Sequence, residues 1–100
     1  MTLFLMTPNE MASHLATTLK ARRLSLNLSQ KTLSERSGVS YAVLKKFERT
    51  GKISLESLLK LALALGSLQR FQNLFKPEDP QQAASLDELL QEKTRKRGRQ

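Results

Sequence analysis

The chain has 100 residues, no cysteine and one histidine, and its 17 Lys and Arg against 9 Asp and Glu give a formal net charge of +8. This length allows one small domain with tails. The lack of cysteine excludes a disulfide scaffold, a thiolate zinc site and a cysteine nucleophile. The basic balance favours a polyanionic partner, and no apolar run approaches the ~20 residues of a membrane span.

Capping residues occur at successive positions along the chain where they predict the starts and ends of helices. Thr7 is expected to cap a first helix that runs to about Leu26, with Pro8 at its first position and Glu10 completing a capping box. Further helices are predicted to begin after a Ser, whose side chain accepts from free amides, and three of them to end at a Gly. These helices cover residues 30–37, 41–50, 55–65 and 68–75. We therefore predict an all-α, five-helix domain over residues 7–76.

The composition changes near Pro80. Residues 77–100 are predicted to form a polar linker, a short helix at residues 86–90 and a flexible basic C-terminal tail. Five of the basic residues fall within residues 93–100, and such a run of like charges repels itself and is typical of disorder. The tail also favours nonspecific phosphate binding. Whether the 86–90 helix docks on a partner stays open.

Two short helices joined by Ser37-Gly38-Val39 form the most informative segment of the sequence. Leu33, Leu44 and Phe47 are expected to face the core, which turns the opposite face of the second helix outward. An exposed helix of this kind fits the major groove of B-DNA. Its outward residues, which include candidates to donate to guanine, are Tyr41, Ala42, Lys45, Lys46 and Arg49.

Phosphate contacts are expected on both sides of this outward helix. Gln30 begins one neighbouring helix, and Lys52 and Ser54 precede the free amides of another. Arg49 is assigned to phosphate as well. The alternative interpretation is that these polar residues only form a solvated cationic surface.

Apolar residues after the third helix exceed what one small domain can bury. The fourth helix is apolar nearly all round, and a second apolar stripe follows it. We predict a homodimer interface at Leu68, Phe71, Leu74 and Phe75. A dimer would place two reading helices ~34 Å apart on a pseudo-palindromic double-stranded DNA operator.

The segment from Leu19 to Gly66 resembles the lambda-repressor-like, XRE-type helix-turn-helix regulators. The resemblance rests on Arg22-Arg23-Leu24, Leu28-Ser29-Gln30, Leu33-Ser34, Gly38-Val39-Ser40, the stretch from Leu44 to Glu48, Gly51, and Leu58 to Gly66. It implies that Gln30 binds phosphate and that Arg23 pairs with Glu48. It also implies that the groove is faced by Ser40, Tyr41, Ala42 and Lys46, with Lys45 beside them. Ser34 departs from the Ala that is common in the family.

A narrower resemblance reaches the C-terminal part of the chain. Residues 47–66, Leu74-Phe75, residues 85–90 and the basic end are similar to the HipB-like antitoxins that accompany HipA-type serine/threonine kinase toxins. The resemblance implies autorepression of a toxin–antitoxin operon. It also implies assembly with the kinase, and with an accessory antitoxin chain in the split three-gene arrangement.

Two function classes remain open. One is a sequence-specific DNA-binding repressor, which includes phage or metabolic repressors without a toxin partner. The other is a protein-interaction adaptor on the same scaffold. The sequence has no phosphate loop or nucleophile motif, and His14 has no arranged partner. We therefore expect no enzymatic activity, no bound metal and no cofactor. We expect a cytoplasmic, nucleoid-associated location.

Overall fold

The computed structural model describes residues 5–77 and 86–91. Within them it contains the helices α1 (Pro8–Ser25), α2 (Gln30–Ser37), α3 (Tyr41–Thr50) and α4 (Leu55–Ala64), followed by a 3-10 helix (Leu68–Phe71). Residues 86–91 are also helical, and no strand occurs in the described ranges. The predicted all-α, five-helix domain is confirmed over residues 8–71, with a 3-10 helix as its fifth helix. The basic run at residues 93–100 lies outside the described residues.

The helix starts follow the predicted caps. The side chains of Ser29, Ser40 and Ser54 each accept a hydrogen bond from the backbone amide three residues later, at 3.0–3.1 Å. At α1, Thr7 Oγ1 accepts from the Glu10 amide, and the Glu10 carboxylate accepts from the Thr7 amide at 2.8 Å. The hydrogen bond from the Thr7 backbone, with that from its side chain, holds the pKa of Glu10 below its usual value. Local capping therefore sets where each helix begins.

Two helices end one residue before the predicted position. Asn27 adopts φ 58° after α1, and the amides of Asn27 and Leu28 bond to the carbonyls of Leu24 and Arg23 at 3.0 and 3.1 Å. This is a Schellman ending, in which Asn takes the left-handed position. Gly66 ends α4 in the same way, so Leu65 is a cap residue and not a helical one.

The predicted fifth α-helix over residues 68–75 is wrong in type and length. The structure has a short 3-10 helix that stops at Phe71. The amides of Leu74 and Lys76 then bond to the carbonyls three residues earlier, at 3.3 and 3.4 Å, which is a turn pattern and not an α-helical one. Pro77 disfavours helical backbone at Lys76, so the segment has no regular continuation.

The core lies where α1 packs on α3 and where α2 packs on both α3 and α4. Its largest fully buried side chains are Leu33, Leu44, Phe47 and Leu61. Val39, in the turn between α2 and α3, is buried beside them. The Arg22 guanidinium of α1 donates through Nε to the Leu65 carbonyl at 3.2 Å, so a cation caps the C-terminal end of α4.

The chain divides into two compact units, Met1–Gln69 and Arg70–Gln100. The first unit contains α1 to α4 and therefore the predicted base-reading residues and the predicted phosphate contacts beside α3. Within the described ranges, no helix is long and apolar enough to cross a membrane.

Candidate nucleic-acid interface

Helix α3 has two chemically different faces. Leu44 and Phe47 are 0% and 1% exposed and anchor one face in the core. The opposite face is exposed and carries the predicted reading residues together with Arg49, and Ser40 lies exposed at its N-cap. Because the anchored side fixes the helix rotation, the exposed face presents as one surface Tyr41, Ala42, Lys45, Lys46 and Arg49.

Lys45 and Tyr41 contact each other on this surface. The Lys45 ammonium lies 5.8 Å from the centroid of the Tyr41 ring. A cation–π contact at an exposed site contributes about 0.5–1 kcal/mol. It draws the Lys45 ammonium back over the first turn of α3, so the two side chains form one polar and aromatic group there.

The turn between α2 and α3 is held by serine hydroxyls. Ser34 Oγ donates to the Val39 carbonyl at 2.6 Å. Ser37 Oγ accepts from the Val39 amide at 3.1 Å and donates to the Ser34 carbonyl at 3.3 Å. The serine that departs from the usual family residue therefore ties α2 to the turn. The sequence carried no signal for this contact beyond the presence of a hydroxyl.

A buried polar network joins three segments behind α3. Arg23 donates through Nε and Nη2 to the two carboxylate oxygens of Glu48, at 2.8 and 3.0 Å. Its Nη1 donates to the Leu28 carbonyl at 2.7 Å. The side chains of Arg23 and Glu48 are only 7% and 4% exposed. The bidentate pair therefore links α1, the α1–α2 connection and α3 in a desolvated setting.

Gln30 belongs to the same network. Its Nε2 donates to Glu48 Oε1 at 2.9 Å, and the residue is half-buried at the first position of α2. Sequence reasoning placed Gln30 at the DNA backbone and Glu48 in an ion pair, but it missed the contact between them. No sequence pattern signals this contact, because it depends on how α2 crosses α3.

The second predicted phosphate site lies before α4. Lys52 and Ser54 are exposed, and the Lys52 amide donates to Thr50 Oγ1 at 3.1 Å. Thr50 Oγ1 in turn donates to the Lys46 carbonyl at 2.8 Å. These bonds fix the path from the end of α3 to the start of α4, whose first amides have no intrahelical partners.

The residues predicted for dimerisation do not share a helix face. Leu68 and Phe71 are half-buried, whereas Leu74 is 59% and Phe75 is 96% exposed. Leu74 and Phe75 lie beyond the 3-10 helix, so the helical stripe on which the prediction relied is not present. On α4, Leu55 and Leu63 are also exposed, at 67% and 65%.

The described ranges contain no group of three or more His, Cys, Asp or Glu that could hold a metal ion.

The exposed face of α3, the short turn before it and the packing of α2 against α3 define a helix-turn-helix DNA-binding domain. A profile of the helix-turn-helix family matches residues 19–71. The chain belongs to this family, whose members are DNA-binding transcription regulators. A search of curated proteins finds no match.

Proposed function

We propose that the protein is a sequence-specific transcriptional repressor that inserts α3 into the major groove of its operator. The observation that carries the proposal is the division of α3 into a buried apolar face and an exposed polar face. A helix held in this way keeps its exposed side chains in a fixed register, which base reading requires. Access to DNA is required for this role, so a cytoplasmic, nucleoid-associated location is part of the proposal.

Each exposed side chain of α3 has a role that follows from its chemistry. Lys46 donates to guanine O6 and N7, and Lys45 does so from its position against the Tyr41 ring. Tyr41 supplies an aromatic edge for a thymine methyl or a hydroxyl for phosphate. Ala42 lets the helix approach closely, and the Ser40 hydroxyl lies at the end of α3 where helices meet base edges.

The flanking residues hold the DNA backbone. Gln30 donates to a phosphate at the start of α2, where helix amides point the same way. Arg49 and Lys52 neutralise phosphates by charge. Ser54 contacts phosphate at the start of α4, which is the second helix N-terminus beside the DNA backbone. Such contacts set the position of the reading helix and carry no sequence information themselves.

A homodimer is part of the proposal because operators of this class are read by paired helices. Leu68, Phe71, Leu74 and Phe75 remain the proposed interface, supported by the large exposure of Leu74 and Phe75. Apolar surface of this kind marks a contact site. The dimer would bind a pseudo-palindrome whose half-sites are about 34 Å apart.

The proposed context is an autoregulated toxin–antitoxin operon that encodes a HipA-like serine/threonine kinase. This proposal is supported by the similarity of residues 47–66 and 85–90 to HipB-like antitoxins. Residues 86–91 are helical and exposed apart from the half-buried Leu89, and they combine apolar side chains with Asp87 and Glu88. A kinase and an accessory antitoxin chain are the proposed partners.

A protein-interaction adaptor is the second candidate. The observation in its favour is the exposure of Leu55 and Leu63 on α4, since exposed apolar side chains on one helix suit a protein contact. A phage or metabolic repressor without a toxin would share the DNA chemistry proposed above.

The first expected result is specific binding to the DNA upstream of the chain's own gene. We expect two protomers per site and an affinity that falls steeply between two salt concentrations, because bound phosphates release counterions. Fluorescence anisotropy against a scrambled duplex of the same length measures both. Equal, weak binding to the two duplexes would contradict the repressor proposal and favour the adaptor.

Lys46→Ala is expected to reduce the free energy of operator binding by about 1–3 kcal/mol and to relax the sequence preference. The reason is the loss of a base contact together with a charge. Lys60→Ala is the matched control, since Lys60 carries the same charge on α4 and pairs with Glu56 at 3.7 Å. We expect this control to keep the preference for operator over scrambled DNA. Equal losses in both variants would show that Lys46 acts only through net charge.

A further inference from the structure

We propose that Glu48 is a positioning residue for DNA binding, because it orients the Gln30 carboxamide so that an N–H donor faces a backbone phosphate. The inference rests on the proposed function, in which Gln30 binds the DNA backbone. It adds a role to a residue that the sequence placed only in a structural ion pair with Arg23.

The acceptor for Gln30 is fixed independently of DNA. Both oxygens of Glu48 are held by Arg23, at 2.8 and 3.0 Å, and the side chain is 4% exposed. Gln30 Nε2 reaches the same oxygen that accepts from Arg23 Nη2, at 2.9 Å. A flexible side chain that is held before binding loses less freedom when it binds. The network therefore pre-organises Gln30 for a ligand.

The carboxylate also selects which end of the amide faces it. An ionised carboxylate only accepts hydrogen bonds, whereas the Gln30 amide carries both an oxygen and an NH₂ group. Nε2 must therefore point to Glu48, and its second N–H remains available for another acceptor. A reversed amide would set the Gln30 oxygen against the carboxylate oxygen, which is repulsive and leaves Glu48 Oε1 without this donor.

Arg23 allows the Glu48 carboxylate to lie near the DNA backbone without repelling it. An unpaired Glu48 would repel nearby phosphates, but the bidentate guanidinium neutralises it. The Arg23 bond to the Leu28 carbonyl anchors the pair two residues before Gln30. The same carboxylate thus joins the reading helix α3 to the start of α2, where the backbone contact is proposed.

A double-mutant cycle with Gln30→Ala and Glu48→Gln tests the proposal. Glutamine at position 48 removes the charge and offers one acceptor oxygen where the structure uses two. We expect Gln30→Ala to raise the Kd for operator and scrambled DNA alike. Glu48→Gln alone is expected to raise both Kd values about three- to tenfold, and to cause no further rise in the Gln30→Ala background. Additive effects, or an unchanged Kd in Glu48→Gln, would overturn the proposal.

Stability, binding and NMR measurements together separate positioning from a loss of stability. Circular dichroism and urea titration confirm that each variant is folded at the temperature of the binding assay. Leu61→Val, which weakens the core on α4 away from this network, is expected to lower stability with unchanged Kd. The Gln30 side-chain NH₂ resonances should shift in Glu48→Gln and not in Leu61→Val, and unshifted resonances in Glu48→Gln would contradict the proposal.

The cycle also separates this inference from the proposed function. If the wild-type chain does not prefer its operator, the repressor proposal fails. If it prefers the operator and Gln30→Ala weakens binding, additive effects in the cycle contradict only the role of Glu48.

Discussion

Glu48→Ala is expected to lower the free energy of unfolding by about 3–5 kcal/mol, because it leaves the buried Arg23 guanidinium without its carboxylate. Arg23 and Glu48 are 7% and 4% exposed in their side chains, so the guanidinium has little access to solvent. Arg23 keeps its bond to the Leu28 carbonyl, but Nε and Nη2 lose their acceptors. Urea unfolding followed by circular dichroism measures the change.

The double variant Arg23→Met/Glu48→Leu separates the cost of an orphaned charge from the value of the pair. Replacing both charges by apolar side chains of similar size is often neutral or stabilising. We therefore expect the double variant to recover most of the stability that Glu48→Ala loses. It should not recover DNA affinity, since Gln30 then has no acceptor for Nε2.

The exposed ion pair between Lys60 and Glu56 provides a control for the effect of burial on the cost of losing a carboxylate. Its side chains are 50% and 82% exposed, and the two charges lie 3.7 Å apart. An i,i+4 pair in water contributes about 0.3–0.5 kcal/mol. Glu56→Ala should therefore change the free energy of unfolding little. A loss in Glu48→Ala as small as in Glu56→Ala would show that the Arg23 site is hydrated in solution.

Helix starts could be predicted because they depend on neighbours in sequence. Each of the caps Thr7, Ser29, Ser40 and Ser54 bonds to an amide three residues along. The same locality made the ends at Gly38 and Gly51 predictable, since both adopt positive φ. Asn27 adopts the same conformation, but Asn is a weaker signal than Gly for that position.

The fifth helix could not be predicted from apolar spacing alone. Leu68, Phe71, Leu74 and Phe75 recur at intervals that suit an α-helix, but the backbone follows 3-10 and turn geometry. Spacing indicates which residues could share a face only if the backbone is helical. Pro77 restricts the backbone only at Lys76, beyond the predicted helix, so it did not signal the change to 3-10 geometry at Leu68–Phe71.

The contacts that organise the candidate site join residues distant in sequence. Gln30 reaches Glu48 across α2 and α3, and Arg22 reaches the Leu65 carbonyl from α1 to α4. Residue types marked these positions as polar, yet their partners depend on how the helices cross. Face assignments on α3 needed only the helical period and the buried Leu44 and Phe47.

At Gly51 the sequence likewise predicted the local conformation but not the contact with a distant helix. Substitution of this glycine has the second large expected effect. The sequence identified this glycine as the end of α3, and its φ of 79° agrees with that role. The structure adds that a Cβ at Gly51 would lie 3.0 Å from the Ala12 carbonyl carbon and 3.1 Å from the Ser13 amide nitrogen. These are backbone atoms of α1, which cannot rotate away as a side chain would.

We expect Gly51→Ala to lower the free energy of unfolding by about 2–5 kcal/mol. About 1–2 kcal/mol comes from an L-residue in the left-handed region, and about 1–3 kcal/mol from overpacking against α1. The backbone of α1 must shift to admit the methyl group, which disturbs its packing on α3. Urea unfolding monitored by circular dichroism gives the total cost.

Gly38→Ala isolates the conformational part of that cost. Gly38 has nearly the same φ, 80°, but a Cβ there would meet no atom within 4 Å. We therefore expect Gly38→Ala to cost only about 1–2 kcal/mol, and the difference between the two variants to measure the contact between α1 and the end of α3. Equal losses in the two variants would mean that α1 yields to the methyl group without cost, and that positive φ alone requires glycine at both positions.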